Sequence, residues 1–304
     1  MRAPAAIAAV LALAGCGSAG GGAPPPGPDG QAKGVRASPR VVPAICGRLT
    51  ARRTGTIHAS QATELSGLVA SRRRPGVLWT HNDSGDGPRV LAVRASGTLA
   101  GDVAIAGAEA TDWEDIALRG GTLYLADIGD NDAERDDVVV YRVPEPAAGA
   151  TTSAPTQALR LRYPDGAHDA ETLLVDPRSG SLAIVTKAFD GNSGVYVAAH
   201  PSASATTTLH RAARLRLGLG GLATAGDVSA DGRVIVVRTY TGFVAWERRR
   251  GDSLARAMRR SPCAGRVSLA REGQGEALAL TANGRAFLTV PEGLNPIVRR
   301  YAVR

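Results

Sequence analysis

Acidic side chains recur in this 304-residue chain at one kind of place, the start of a short apolar run. Glu64 precedes LSGLVA, Glu114 and Asp115 precede IAL, Glu171 precedes TLLV, Asp227 lies within AGDVSA, and Glu276 precedes ALAL. Asp127 and Glu292 stand at the far ends of the partner runs TLYLAD and FLTVPEG. Carboxylates gathered at one place repel one another unless a cation stands among them. Donors that are all oxygen suit the hard cation Ca²⁺ far better than zinc, for which His and Cys partners are lacking. The candidate metal ligands are therefore Glu64, Glu114, Asp115, Asp127, Glu171, Asp227 and Glu276. The same acids also read as a solvated rim in which carboxylates cap backbone N–H groups, and residue types alone leave both readings open.

A second set can hold what such a cation binds. Lys187 in VTKAFDG and Arg238 in VRTYTG stand at similar run ends, and the chain's other lysine is Lys33. Two cations there would grip an oxyanion such as phosphate, or each would pair with a neighbouring carboxylate. His81, in WTHND, suits a general base or a rim hydrogen bond. Trp113 suits packing or stacking on a ligand. With Glu292 these complete the candidate ligand-binding set. No Gly-x-Ser-x-Gly elbow, P-loop or His-Glu-x-x-His occurs. The Asp127–Asp132 stretch is acidic but lacks EF-hand spacing and its closing Glu.

The elements that carry these residues are short strands. DWEDIAL (112–118) and TLYLADIGDN (122–131), joined through Gly120 and Gly121, read as a hairpin with acids gathered at one end. The layout recurs. A first unit runs 64–71, 77–85, 89–97 and 98–107, and a second 112–118, 122–131, 138–146 and 157–166. A third runs 169–176, 181–191, 194–200 and 208–217. A fourth runs 224–232, 233–242, 243–251 and about 266–272, with a helical turn at 253–258. A fifth has three strands, 274–284, 285–293 and 296–303. With Ser66, Glu114, Glu171, Gly226 and Glu276 as equivalents, the spacings are 48, 57, 55 and 50 residues. Four strands per period of about fifty residues predict an all-β chain, a β-propeller of five four-stranded blades. Six blades would need an irregular unit, and a plain antiparallel sandwich is the competing architecture. The segment 45–55 is expected to supply the missing fourth strand and close the ring, which hides an edge. In this scheme one face collects the acids, at the mouth of a central channel, and the other collects Arg72–Arg74 and Arg248–Arg250.

The first residues concern address. Arg2, the apolar run 3–14 and Leu13-Ala14-Gly15-Cys16 describe a secretory signal (1–15), and Leu-Ala-Gly-Cys resembles the bacterial lipobox. Cys16 is then the lipidated residue, and the protein is expected on the outer face of the cell membrane, held through that lipid. Residues 16–44, rich in Gly, Pro, Ala and Ser, read as a tether, leaving 45–304 as the propeller. Outside the cytoplasm the remaining pair, Cys46 and Cys263, reads as a disulfide, with two separate thiols as the alternative. Ring closure would bring the two together. The net charge of +8 suits an anionic surface, but few aromatics interleave with the arginines, so no nucleic-acid partner is expected. A monomer is expected.

The ensemble ELSGL, VLWTHNDSG, DWEDIA, ADIGDN, DAET, VTKA, VRTYTG, QGEALAL and PEG resembles exported actinobacterial propeller-like proteins and lipoproteins of unassigned function, across nearly all of 60–304. More distantly the acidic mouth with nearby cations is similar to the phytase-like propellers, which hold and hydrolyse phosphate esters with calcium. Their motifs do not align residue by residue, so no catalytic residue is carried over. The expectation is an extracytoplasmic propeller that binds an anionic small molecule or an envelope protein at a calcium-occupied mouth. Its alternatives are a calcium-dependent phosphoester hydrolase and a non-catalytic envelope scaffold.

Overall fold

The computed structural model describes residues 42–304; the expected signal peptide, Cys16 and most of the tether lie outside the described residues. The strands form five antiparallel sheets, one per predicted unit. Blade 1 holds β2 (Leu65–Ala70), β3 (Val77–Asn82), β4 (Arg89–Arg94) and β5 (Leu99–Ala104). Blade 2 holds β6 (Trp113–Arg119), β7 (Thr122–Asp127), β8 (Val138–Pro144) and β9 (Gln157–Arg162), and β13 (Thr207–Thr208) adds to it in parallel. Blade 3 holds β10 (Ala170–Val175), β11 (Leu182–Thr186), β12 (Gly194–Ala198) and β14 (His210–Arg214). Blade 4 holds β15 (Ala223–Val228), β16 (Val234–Thr239), β17 (Phe243–Glu247) and β18 (Cys263–Ala264). Blade 5 holds β19 (Ala277–Leu280), β20 (Ala286–Val290), β21 (Ile297–Val303) and, from the start of the described chain, β1 (Leu49–Thr56). The protein is a five-bladed β-propeller.

Why the blades stack follows from the strand period of two. In β7, Leu123 and Leu125 enter a core shared with blade 1, while Tyr124 and Ala126 enter one shared with blade 3. Every blade is apolar on both faces in this way, and the five hydrophobic clusters are the five interfaces between neighbours. Each fully buried Leu or Ile contributes about 1.5–3 kcal/mol, available only once the neighbour is in place. A single blade therefore cannot stand alone.

Closure is as expected. β1 pairs with β21 from Leu49↔Val303 to Thr56↔Ile297, and Cys46 forms a disulfide with Cys263 on the outer strand of blade 4. The helical turn is also present, as α1 (Leu254–Met258), with the Ser253 side chain accepting from the Arg256 N–H. Two expectations need correction. The outer strand of blade 4 is Cys263–Ala264, not 266–272, of which 270–272 is a 3-10 turn. The disulfide holds Cys263 at that edge, and α1 takes up the chain before it. The repeat register also shifts. β2, β6, β10 and β15 each carry a bulge near the start, at Gly67, Glu114, Glu171 and Thr224, and Glu276 precedes β19 at the matching position. Ser66 and Gly226, the expected equivalents, lie one residue before and two after the bulge of their own strands.

The inner strands β2, β6, β10, β15 and β19 surround the axis and start at one end, as the parallel bridge Ser66↔Glu276 records. That end is called the mouth and the other the base. No helix among the described residues is long and apolar enough to cross a membrane.

Candidate metal centre

The bulge carries the site. One extra residue bends the inner strand and re-aims a side chain, and at that position blades 2, 3 and 5 place Glu114, Glu171 and Glu276, all three buried. Blades 1 and 4 place Gly67 and Thr224 there. The second strands answer with Lys187 and Tyr240, each one residue past the partner of its inner strand's start, and with Glu292, two past it. Asp83, just past β3, and Asp112, just before β6, complete the group.

These side chains converge. Donor oxygens of Asp83, Asp112 and Glu114 lie within 4.8 Å of one another, and so do those of Asp83, Glu276 and Glu292. Asp83 is common to both sets. Asp83 shares a hydrogen bond with Asp112, and Glu276 one with Glu292. Lys187 pairs with Glu171, and the Tyr240 hydroxyl donates to Glu276 at 2.7 Å. Other oxygens have no partner: Oε2 of Glu114, Oε2 of Glu171 and Oδ1 of Asp83 are buried and bond to nothing described. Room for this is made by Gly129, where any Cβ would collide with the carboxylates of Glu114 and Asp112.

The electrostatics agree with the geometry. Burial, then the Asp112 carboxylate, pushes Asp83 up to about 7. Burial, then Glu171 and Asp83, holds Glu114 well above the usual carboxylate range. Glu171 rises to about 9 through burial and Glu276 although Lys187 opposes the shift, and Glu292 rises to about 9 through burial and its hydrogen bond to Glu276. One ammonium cannot neutralise so many acids. Two groups of carboxylates that share Asp83, with buried oxygens unpartnered beside them, fit an all-oxygen cation such as Ca²⁺, which takes six to eight oxygen ligands.

Of the predicted metal ligands, the structure brings Glu114, Glu171 and Glu276 into this cluster, and Glu64 stands exposed at its edge, close enough to act on Glu292. The other three lie elsewhere. Asp115 is fully buried across the axis: Oδ1 accepts from the Ile116 N–H at 2.8 Å, and Oδ2 from Leu173 at 2.8 Å and Gly226 at 3.2 Å. It ties blade 2 to blades 3 and 4. Asp227 lies deeper along its strand, accepts from Val228 and Leu280, and feels Arg72 of the base. Asp127 accepts from the Thr111 and Asp112 N–H groups and pairs with Arg135 at 2.9 Å, so it shapes the loop that presents Asp112.

The predicted ligand-binding set divides similarly. Lys187 and Glu292 are in the cluster. Arg238 is fully buried, donating to Glu272 at 2.8 Å and to the Ala277 carbonyl at 2.9 Å, so it is an interior ion pair. The residue matching Lys187 in blade 4 is Tyr240, since Thr186 and Thr239 are the paired positions before them. His81 is buried edge-on to Trp113, its Nδ1 is 2.8 Å from the Asn82 carbonyl oxygen, and burial depresses it to about 4, so it stays neutral. Trp113 donates to the Glu109 carbonyl at 2.9 Å and packs between blades 1 and 2. Sequence reasoning left Asp83, Asp112 and Tyr240 outside the site. Aligning VTKA with VRTY on their threonines rather than their cations would have found Tyr240.

The fold and this cluster define a class, the five-bladed β-propeller with an acidic mouth. No protein-family model and no curated protein matches the chain. Among solved structures, the iodide structure of a Trichoderma reesei protein of carbohydrate-active enzymes family AA12 is similar at TM-score 0.46 and 8% identity, over 86% of this chain and 98% of that one. Nothing is carried over from it.

Proposed function

We propose that the protein is an extracytoplasmic propeller, lipid-anchored through Cys16, that holds Ca²⁺ at its mouth and binds an oxyanion-bearing ligand or partner through it. The observation that carries this is the set of unpartnered, buried oxygens of Glu114 and Glu171 within a carboxylate cluster in which, among the described residues, Lys187 alone forms an ion pair. Asp83, Asp112, Glu114, Glu276 and Glu292 would hold the ion, with Glu171 and Lys187 beside it. A bound Ca²⁺ would neutralise the cluster and keep open coordination positions for a carboxylate or phosphate oxygen. Lys187, on the exposed side of Glu171, would add a second contact to that oxyanion. The exposed Phe189 and Leu219 stand on neighbouring loops of the same face, and Leu294 on a loop of blade 5, offering apolar contact to the rest of the ligand. A two-cation phosphate clamp of Lys187 with Arg238 does not form, because Arg238 is committed to Glu272.

The test is thermal melting and calorimetric titration with Ca²⁺, Mg²⁺ and chelator. A ligand of the native state at one hundred times its Kd stabilises by about 2.7 kcal/mol, which for a domain of this size is roughly 5–10 °C. Ca²⁺ should produce such a shift, and Glu114→Gln should remove most of it. An identical melting temperature with calcium and with chelator would sink the reading.

A further inference from the structure

Of the chain's charge of +8, residues 1–41 hold +3 (Arg2, Lys33, Arg36 and Arg40 against Asp29), so the propeller is itself basic, and the base carries a regular set of its arginines. The first hairpin of every blade turns at the base, and every one of these turns holds or adjoins an arginine: Arg73, Arg119, Arg178, Arg233 and Arg285 in blades 1 to 5. All are exposed except Arg119, which is half-buried. Successive turns touch, with Gly121 against Arg73, Gly180 against Arg119 and Gly232 against Arg178. The five therefore form a ring. Among the described residues Arg233 alone of the five has an ion pair, to Glu247 at 2.8 Å.

Further charge lies around the ring. Arg249 and Arg250, on the connection from β17 to β18, are exposed and pair with no acid among the described residues. Asp231 is the one exposed acid in the described base turns, and its Oδ1 already accepts from Ser229 and the Arg233 N–H. A cavity of about 250 Å³ opens between blades 2 and 3, lined by Arg119, Arg142 and His200 and by no acid. The Nε of Arg119 has no partner. The described chain also enters the sheet on this side: Leu49 pairs with Val303, whose N–H donates to the Arg285 carbonyl.

We propose that the base is a docking surface for an anionic lipid bilayer, with the arginine ring against lipid phosphates and the mouth turned to the opposite side. Arginine is suited to phosphate oxygens, and a charged surface without apolar insertion matches the interfacial attraction of basic segments to anionic leaflets. No Phe, Tyr or Trp lies in the base turns, so the face offers no stacking platform for nucleobases. The inference does not depend on calcium at the mouth.

The test uses the full chain carrying Cys16→Ala, so that no lipid is attached, sedimented with phosphatidylglycerol or phosphatidylcholine vesicles. Each arginine near an anionic surface is expected to raise partitioning about fivefold, and salt should weaken it. The triple variant Arg73→Glu/Arg250→Glu/Arg285→Glu should lose at least about a hundredfold of its preference for phosphatidylglycerol. Arg214→Glu/Arg216→Glu/Arg271→Glu, which makes the same charge change on exposed arginines at the mouth face, should lose far less. If the base variant melts early, Arg73→Gln/Arg250→Gln/Arg285→Gln reads the same face with half the charge change. Equal losses in both triples, no preference for phosphatidylglycerol in the parent, or tighter binding to duplex DNA than to vesicles at equal phosphate would each overturn the proposal.

Discussion

Glu114 and Asp115 are adjacent acids with opposite duties. Glu114 stands on the bulge with an unpartnered oxygen, whereas Asp115 spends both oxygens on three backbone N–H groups from blades 2, 3 and 4. Glu114→Gln should weaken Ca²⁺ at least about tenfold, the common cost of disturbing a metal site, and should raise the melting temperature in chelator at neutral pH, because burying an amide needs no proton uptake whereas the Glu114 carboxyl, held well above its usual range, does. Asp115→Ala should leave buried donors unsatisfied and cost about 3 kcal/mol or more, measured by denaturant unfolding, with calcium affinity of the folded fraction little changed. Gly129→Ala should weaken calcium without altering any charge, because its methyl group displaces Glu114 and Asp112.

The pH dependence is also set by these residues. Asp83, Glu171 and Glu292 have folded-state values raised to about 7, 9 and 9. A carboxyl raised by folding stabilises the fold fully below its unfolded value, near 4, and that contribution is lost as pH rises through the folded value. In chelator the melting temperature should therefore fall between pH 6 and 9. His81, held near 4, stays neutral throughout that window. Calcium replaces the shared protons, so the shift it produces should grow over the same range. A calcium shift that shrinks as pH rises would contradict the site.

At the scale of elements, the ring depends on a strand borrowed from the other end of the chain. β1 covers the edge of β21, and the Cys46–Cys263 disulfide fastens the segment before β1 to blade 4. Cys263→Ser should destabilise by about 2–4 kcal/mol, with amide exchange rising first along β1 and β21. A rise confined to blades 2 and 3 would show that the seam is not where the ring opens. The other junctions use buried polar pins as well as apolar cores. Glu145 of blade 2 accepts from Trp79 and Ser71 of blade 1, and Arg248 of blade 4 grips Asp176 of blade 3 through two bonds of 2.6 and 2.9 Å. Burial alone would raise Asp176, but the Arg248 guanidinium and two further donors hold it below the usual range.

For the whole molecule the consequence is an asymmetry along the axis, with the carboxylate cluster confined to the mouth and the ring of turn arginines to the base. On phosphatidylglycerol vesicles, a fluorophore attached near Leu219 should stay open to an aqueous quencher, while one near Arg73 should be shielded. The strands, their period and the closing segment were legible in the sequence because alternation and turn residues are local, and a two-faced blade demands neighbours on both sides. The disulfide followed from that closure. What the sequence by itself did not determine was which acid of a pair faces the mouth. The repeat already aligned Glu114, Glu171 and Glu276, but a bulge moves the register by one residue, and only the packed inner strands show that Gly67 and Thr224 take the same position in blades 1 and 4 while Asp115 and Asp227 serve backbone N–H groups. His81, Trp113 and Arg238, each open in the sequence between a ligand contact and a structural role, take the structural one for the same reason. Their burial is decided by the neighbouring blade, a long-range partner that no local spacing encodes.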